Sequence, residues 1–146
     1  MPLFKKENIW NDFDSLDYIC VTTNAMTKSD GNLVMGAGIA KQASIKESQL
    51  KIVWGNQLRE KGLINKLYGL LAYNKYIAFQ TKLDWKNPST IEIINYSTNK
   101  LKLLAEKYPD KIFGLPYPGI NNGKLTKEIV KPLLNDLPNN VVVYYL

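Results

Sequence analysis

Apolar residues along this 146-residue chain fall into two alternating rhythms. Tyr18-Ile19-Cys20-Val21-Thr22-Thr23 is an unbroken run of β-formers, the pattern of a strand covered on both faces. From Gly38 to about Ser48 the pattern is helical. A second helix follows, with Leu50, Val53, Trp54, Gln57 and Leu58 on one face and Gly62 at its end. Residues 66–73 and 75–79 read as two strands joined tightly at Asn74. Pro88-Ser89 opens a long helix capped by Ser89 or Thr90. Ile91, Ile94, Leu101 and Ala105 supply its buried stripe, and Pro109 stops it. Residues 111–115 read as a short buried strand. Leu125, Ile129, Leu133 and Leu134 predict a final helix that Pro132 should distort. Residues 141–145 form the last strand. Strands alternating with helices predict one α/β domain over residues 1–146, a largely parallel sheet with helices on both faces. The hairpin at Asn74 makes that sheet mixed. There is no repeat, low-complexity segment or linker.

Composition narrows the chemistry. A hydrophobic share of 45% and a charged share of 22% are those of an ordinary globular domain. No stretch is apolar enough to cross a bilayer, and the first residues lack the apolar run of a secretory signal, so a cytoplasmic location away from membranes is expected. Cys20 is the single cysteine and there is no histidine. That excludes an internal disulfide, the common zinc sites and histidine-based catalysis. No metal or cofactor is expected. Any chemistry must use Lys, Asp, Glu, Tyr, backbone amides or water. The net charge of +6 fits an anionic ligand or a nucleic acid. However, Arg59 is the only arginine and the lysines are scattered, so generic solvation explains the charge better than a phosphate-reading surface.

In open α/β sheets, ligands bind beyond the carboxyl ends of the strands. Three loops belong there. Asn24 follows the first strand and leads to Gly36-Ala37-Gly38. Gln80-Thr81-Lys82-Leu83-Asp84-Trp85 follows the hairpin strand. Pro116-Tyr117-Pro118-Gly119-Ile120-Asn121-Asn122-Gly123 follows the fourth. Gly36 and Gly38 allow close backbone approach, and the helix they open offers free N–H groups to a phosphate. Close helix–strand packing is the ordinary alternative for such a pair of glycines. The third glycine of a dinucleotide fingerprint would fall at Lys41, and no Gly-Lys-Ser/Thr follows at P-loop spacing. Gly119 to Gly123 can add amide donors from the opposite side. Asn24 can hydrogen-bond a ribose hydroxyl, or its own loop backbone. Lys82 can balance phosphate charge or attack a sugar aldehyde to form a Schiff base, but spacing alone leaves it one surface charge among many. Asp84 and Trp85 are equally ambiguous. Tyr144 and Tyr145 can stack on a purine or simply pack in the core.

Taken together, these loops resemble the macrodomain family over most of the chain. Asn24 with Asp30-Gly31-Asn32-Leu33-Val34-Met35-Gly36-Ala37-Gly38-Ile39-Ala40-Lys41-Gln42 is similar to the ribose-binding asparagine and first diphosphate loop. Gly114-Leu115-Pro116-x-Pro118-Gly119-x-Asn121-Asn122-Gly123-x-Leu125 resembles the second diphosphate loop. The resemblance implies a three-layer α/β/α fold with a six-stranded mixed sheet and an ADP-ribose cleft. The ligand contacts it implies are Asn24, Met35, Gly36, Ala37, Gly38, Ile39, Pro118, Gly119, Ile120, Asn121, Asn122 and Gly123, with Asn8 and Tyr145 at the adenine.

Phe79-Gln80-Thr81-Lys82-Leu83-Asp84-Trp85 is similar to the Phe-Pro-Thr-Lys-x-x-Trp pattern of the branch that removes ADP-ribose from DNA or acidic side chains. In that branch the lysine is catalytic, which makes Lys82 the candidate nucleophile. Small stand-alone phage macrodomains, often ADP-ribose-1″-phosphate phosphatases, are also similar. The chain departs from the pattern at several points. Gln80 replaces proline, Gly123 stands where some members place a catalytic aspartate, and Ile120 and Asn121 replace small residues. Asn8 replaces the adenine-reading aspartate, although its oxygen can still accept from adenine N6.

The expected function is therefore binding of ADP-ribose or a derivative, with hydrolysis of an ADP-ribosyl linkage to nucleic acid, protein or phosphate. A non-catalytic ADP-ribose reader or sponge is the alternative. A basic nucleic-acid-binding protein is the third. A monomer is expected, with ADP-ribosylated material, nucleic acid included, as its partner.

Overall fold

The computed structural model describes the backbone of residues 1–146 and every side chain but that of Asn121. In chain order the elements are β1 (Leu3–Lys6), β2 (Tyr18–Thr23), α1 (Gly38–Lys46), α2 (Leu50–Lys61), β3 (Leu70–Tyr73), β4 (Tyr76–Gln80), α3 (Ile91–Lys107), β5 (Phe113–Pro116), α4 (Lys127–Leu134) and β6 (Val141–Tyr145). Short 3-10 turns occupy Ile9–Ser15 and Asn121–Gly123. One six-stranded sheet has the order β1-β6-β5-β2-β4-β3. Every neighbouring pair is parallel except β3 and β4, which form an antiparallel hairpin. The sheet is mixed, as expected, and α/β in class.

Alternation along the central strands divides the core. Ile19 and Val21 of β2 and Ala78 of β4 pack with Trp54, Leu50 and Leu58 of α2 on one face. Cys20, Ile77 and Phe79 pack with Ile94, Leu101 and Leu134 of α3 and α4 on the other. Two covered faces are why β2 reads as an unbroken apolar run instead of an alternating one.

The differences from expectation are local. β1 is invisible to pattern reading because its residues are mostly exposed. It is an edge strand held by backbone pairing, with Leu3 opposite Val142 and Lys6 opposite Tyr145. β3 begins at Leu70, not at residue 66. The amides of Tyr68 and Gly69 donate to the side chain of Gln80, at 2.7 and 3.0 Å, and Gly69 has a φ of 80°. Asn74 makes the hairpin turn in the left-handed region, with a φ of 52°. Thr90, not Ser89, caps α3 by accepting from the Ile93 amide. Ile91 and Ile129 are exposed; Ile93 and Val130 take the buried places instead. α4 contains Pro132 in its last turn and ends two residues later, at Leu134. Among the described residues, no helix is long and apolar enough to cross a membrane.

Candidate functional site

The four central parallel strands end at Thr23, Gln80, Pro116 and Tyr145, and one cleft of about 690 Å³ opens beyond them. The first loop, the β4 loop and the second loop all contribute to its walls. A second cavity, of about 350 Å³, is lined by Phe4, Tyr117, Lys127, Glu128, Lys131 and Tyr145.

The first loop delivers backbone donors. Ala37 occupies the N-cap of α1 in extended conformation and makes no side-chain cap bond, so the first-turn amides are free for an anion. Gly38 starts the helix with a φ of 58°, a conformation costly for any residue with a Cβ. A Cβ there would lie 3.5 Å from Asn122 Nδ2, so the two loops face each other at this point. Gly119, with a φ of 81°, turns the second loop where a side chain would collide with Ile94. Gly36 needs no special backbone angle; the absence of a side chain there only keeps the entrance clear.

Of the sequence-based candidates, Asn24, Gly36, Ala37, Gly38, Ile39, Gly119, Ile120, Asn122, Gly123, Asn8, Tyr145 and Lys82 all line this cleft. Met35 and Pro118 do not. Met35 is buried in the core beneath the first loop, and Pro118 is buried behind the second. The side chain of Asn121 lies outside the described residues.

Asn24 is largely committed to its own loop. Its Nδ2 donates to the Val34 carbonyl at 3.0 Å and its Oδ1 accepts from the Met26 amide at 2.8 Å. Because a side-chain amide carries two N–H groups, one donor remains for a ligand. Asn8 is similar: its Oδ1 caps the Ile9–Ser15 turn by accepting from Trp10 at 3.0 Å. Glu7 Oε1 accepts from the Asn8 amide and from Asn11 Nδ2, placing a carboxylate at this end of the cleft. Tyr145 carries the Lys127 ammonium over its ring at 4.4 Å, whereas the Tyr144 hydroxyl donates to Asp12 at 2.8 Å.

The opposite wall holds Lys82. It is half-buried, and its Nζ donates to the Trp85 carbonyl at 3.4 Å. Partial burial, and then repulsion from Lys124, hold its ammonium below the usual lysine range. Gln80 secures the backbone behind it. This fully buried amide accepts from Tyr68 and Gly69 and donates to the Lys66 carbonyl at 3.0 Å and the Lys82 carbonyl at 3.3 Å. Its main-chain carbonyl accepts from Ser97 at 2.7 Å. The Tyr68 hydroxyl donates to the Asn24 carbonyl at 2.7 Å, linking the two walls. Asp84 is turned away, its carboxylate accepting from the Lys86 amide at 3.0 Å. Trp85 lines the rim with half its surface exposed, and Lys86 sits 5.8 Å from its ring centroid.

Lys124, Ser89 and Glu7 also line the cleft and were missed by sequence reasoning. Lys124 is one lysine of many, Ser89 read as a helix start, and Glu7 directly follows a strand that the pattern hides. Among the described residues there is no cluster of acids and cysteine able to hold a metal ion.

Neither a family model nor a curated protein matches this sequence. Solved structures do. The macrodomain of Mycobacterium tuberculosis DarG is similar at a TM-score of 0.77 and 20% identity, covering 100% of this chain and 98% of the other. The macrodomain of Thermus aquaticus DarG is similar at 0.74 and 24% identity, covering 99% and 96%. Thermosipho africanus DarTG, in complex with ADP-ribose, is similar at 0.70 and 26% identity, covering 90% of this chain and 39% of the other.

Proposed function

We propose, on the premise of the macrodomain fold that this chain has, that its cleft binds ADP-ribose or a derivative and that Lys82 hydrolyses an ADP-ribosyl linkage there. The observation that carries this reading is convergence. Two glycine loops meet across Gly38, and a lysine of lowered pKa lies on the same cleft. The complex of Thermosipho africanus DarTG with ADP-ribose supports the ligand.

The assignment follows from the chemistry of each wall. Amides at the start of α1 and in the second loop hold the diphosphate, where fixed donors stabilise charge without reorganising. Asn24 offers its remaining N–H to the ribose between adenine and diphosphate. Asn8, Glu7 and Tyr145 form the adenine end. Lys82 stands at the distal ribose. Its neutral Nζ attacks C1″, and the bond from C1″ to the leaving group breaks with its electron pair. Water then displaces the lysine, so the net reaction is hydrolysis. Lowering the ammonium pKa raises the neutral fraction at physiological pH, which is what such an attack needs.

A non-catalytic reader is the second reading. It is favoured by Gly123, which supplies no carboxylate, and by Glu7 being the sole side-chain carboxylate that lines the cleft among the described residues. One experiment separates the two. Wild type and Lys82→Ala are titrated with ADP-ribose by calorimetry, then incubated with ADP-ribosylated DNA and with ADP-ribosyl-glutamate peptide. Catalysis predicts release by wild type only, with binding by both proteins. A reader predicts binding without release. No heat at millimolar ADP-ribose sinks both readings.

A further inference from the structure

Near the β1 edge of the sheet, helix cover gives out. Val130 and Leu134 of α4 pack into the core with Leu115 of β5 and Val143 of β6. At the edge strand β1, the ring of Phe4 is left half-buried. The second cavity, of about 350 Å³, opens at this corner. Tyr117 is buried in its wall, with its ring centroid 6.2 Å from that of Phe4. The Tyr117 hydroxyl donates to the Lys127 carbonyl at 2.9 Å, which ties the start of α4 to the end of β5. Tyr117, Lys127 and Tyr145 line the main cleft as well, so the two cavities share a wall.

Aromatic faces and ammonium groups are interleaved here. Lys131 Nζ sits 5.4 Å from the centroid of the Phe4 ring, and Lys127 Nζ sits 4.4 Å from that of Tyr145. Lys127 and Lys131 are one helical turn apart on α4 and share a face of it. Strand alternation puts Lys6 on the same sheet face as Phe4, with Tyr145 as its partner in β6. Lys124 continues the row into the main cleft. Glu128 is the one side-chain carboxylate that lines the second cavity among the described residues. None of these four lysines has a carboxylate within ion-pair distance among those residues. Lysines that are scattered along the sequence are gathered here by the fold.

We infer that this edge of the molecule is a path for single-stranded nucleic acid, in which a base stacks on Phe4 in the second cavity and successive phosphates follow Lys131, Lys127 and Lys124 towards the main cleft. Rings set among a row of cations suit a strand whose bases are unpaired, because the bases stack while the phosphates track the cations. A lysine over an exposed ring loses little when a base displaces it. Its ammonium passes to a phosphate and gains a charge-assisted hydrogen bond. The row of cations is longer than a single phosphate can use, which favours a strand over a free mononucleotide. A duplex keeps its base faces stacked inside and has none to offer Phe4. The inference goes beyond the ADP-ribose reading and does not rest on it.

The test is fluorescence anisotropy with an unmodified single-stranded oligonucleotide, its duplex, and deoxyadenosine monophosphate as competitor. The proteins are wild type, Lys131→Met, Phe4→Leu and Lys61→Met. The last removes the same charge from α2, which packs on the other face of the sheet. Wild type should bind the single strand more tightly than the duplex. Lys131→Met should weaken binding about fivefold and lower the salt slope by about one. Phe4→Leu should weaken it about fivefold or more with the salt slope unchanged, as for a lost stacking ring. Lys61→Met should match wild type. All four should melt at similar temperatures and give the same calorimetric response to ADP-ribose, whether that response is binding or none. Failure to bind the single strand overturns the path, as does a duplex bound equally well. So does a loss in Lys61→Met equal to that in Lys131→Met, which marks generic charge. An unchanged Phe4→Leu removes the base site, and competition by the mononucleotide at the strand's own affinity replaces the strand with a small ligand; either result overturns the inference.

Discussion

The two walls of the cleft are built differently. The first-loop wall is finished without a ligand: Asn24 is bonded at both ends of its amide, Asn8 caps a turn, and Glu7 accepts two hydrogen bonds. The lysine wall is unfinished. Its ammonium groups have no carboxylate partner among the described residues, the Ser89 hydroxyl has no hydrogen-bond partner, and Lys124 has a left-handed backbone. A wall whose polar groups are already satisfied is rigid and holds a ligand by shape and free amides. A wall with unsatisfied groups gains most when something charged arrives, and gains more as that charge changes during reaction. Under the proposed function, this division puts recognition on one side and chemistry on the other.

The sharpest way to break this division is Lys82→Ala. Turnover should fall at least about 100-fold, in the range typical of a lost proton-transfer or nucleophilic group, while ADP-ribose still binds by calorimetry. A parallel loss of binding would place Lys82 in recognition instead.

Gly38→Val attacks the other wall. The left-handed φ costs a residue with a Cβ about 1–2 kcal/mol, and more if β-branched, so ADP-ribose affinity should drop roughly tenfold or more. Turnover at saturating substrate should change less than affinity, measured as a kcat against KM split.

Gln80 joins the walls, so Gln80→Leu should disturb both. Leaving the Tyr68 and Gly69 amides and the Lys66 and Lys82 carbonyls unpaired should lower stability by about 2–3 kcal/mol, read from denaturant unfolding.

The pH profile gives a smaller effect. Since the Lys82 pKa is depressed, turnover should rise with pH through a midpoint below that of a free lysine and then level off. Lys124→Met removes the repulsion, raises the Lys82 pKa and should move the rise to higher pH. Stability carries the same sign: the unfolded chain binds more protons at Lys82, so this group destabilises the fold below its folded pKa. That penalty is relieved as pH rises towards the ordinary lysine value.

Trp85→Ala should have the smallest effect. With half its surface exposed on the rim, Trp85 can stack a base of an attached strand but reaches little of the ligand itself. Affinity for an ADP-ribosylated oligonucleotide should fall, and affinity for free ADP-ribose should not.

The same contrast explains what could be read from sequence. The first loop's place at the cleft was legible because glycine geometry and strand–loop–helix order are local properties; Gly36 to Gly38 mark the junction that opens α1 before any packing is known. β2 and α2 were legible for the same reason. β1 was not, because an exposed edge strand owes its place to β6 and carries no pattern of its own. Ser89 and Lys124 were not, because their significance lies in what surrounds them. A serine before a helix reads as a cap until Thr90 is seen to do the capping. A lysine after Gly123 reads as solvated until it is found lining the same cleft as Lys82. Met35 and Pro118 differ the other way: they sit inside loop motifs, yet both are buried and neither lines the cleft.

The most direct test of the central claim is a crystal structure of Lys82→Ala soaked with ADP-ribose. The diphosphate should lie between the amides that open α1 and those of the second loop, with C1″ of the distal ribose next to the vacated position of the lysine. A ligand bound away from Gly38, or a distal ribose pointing away from residue 82, would contradict the account.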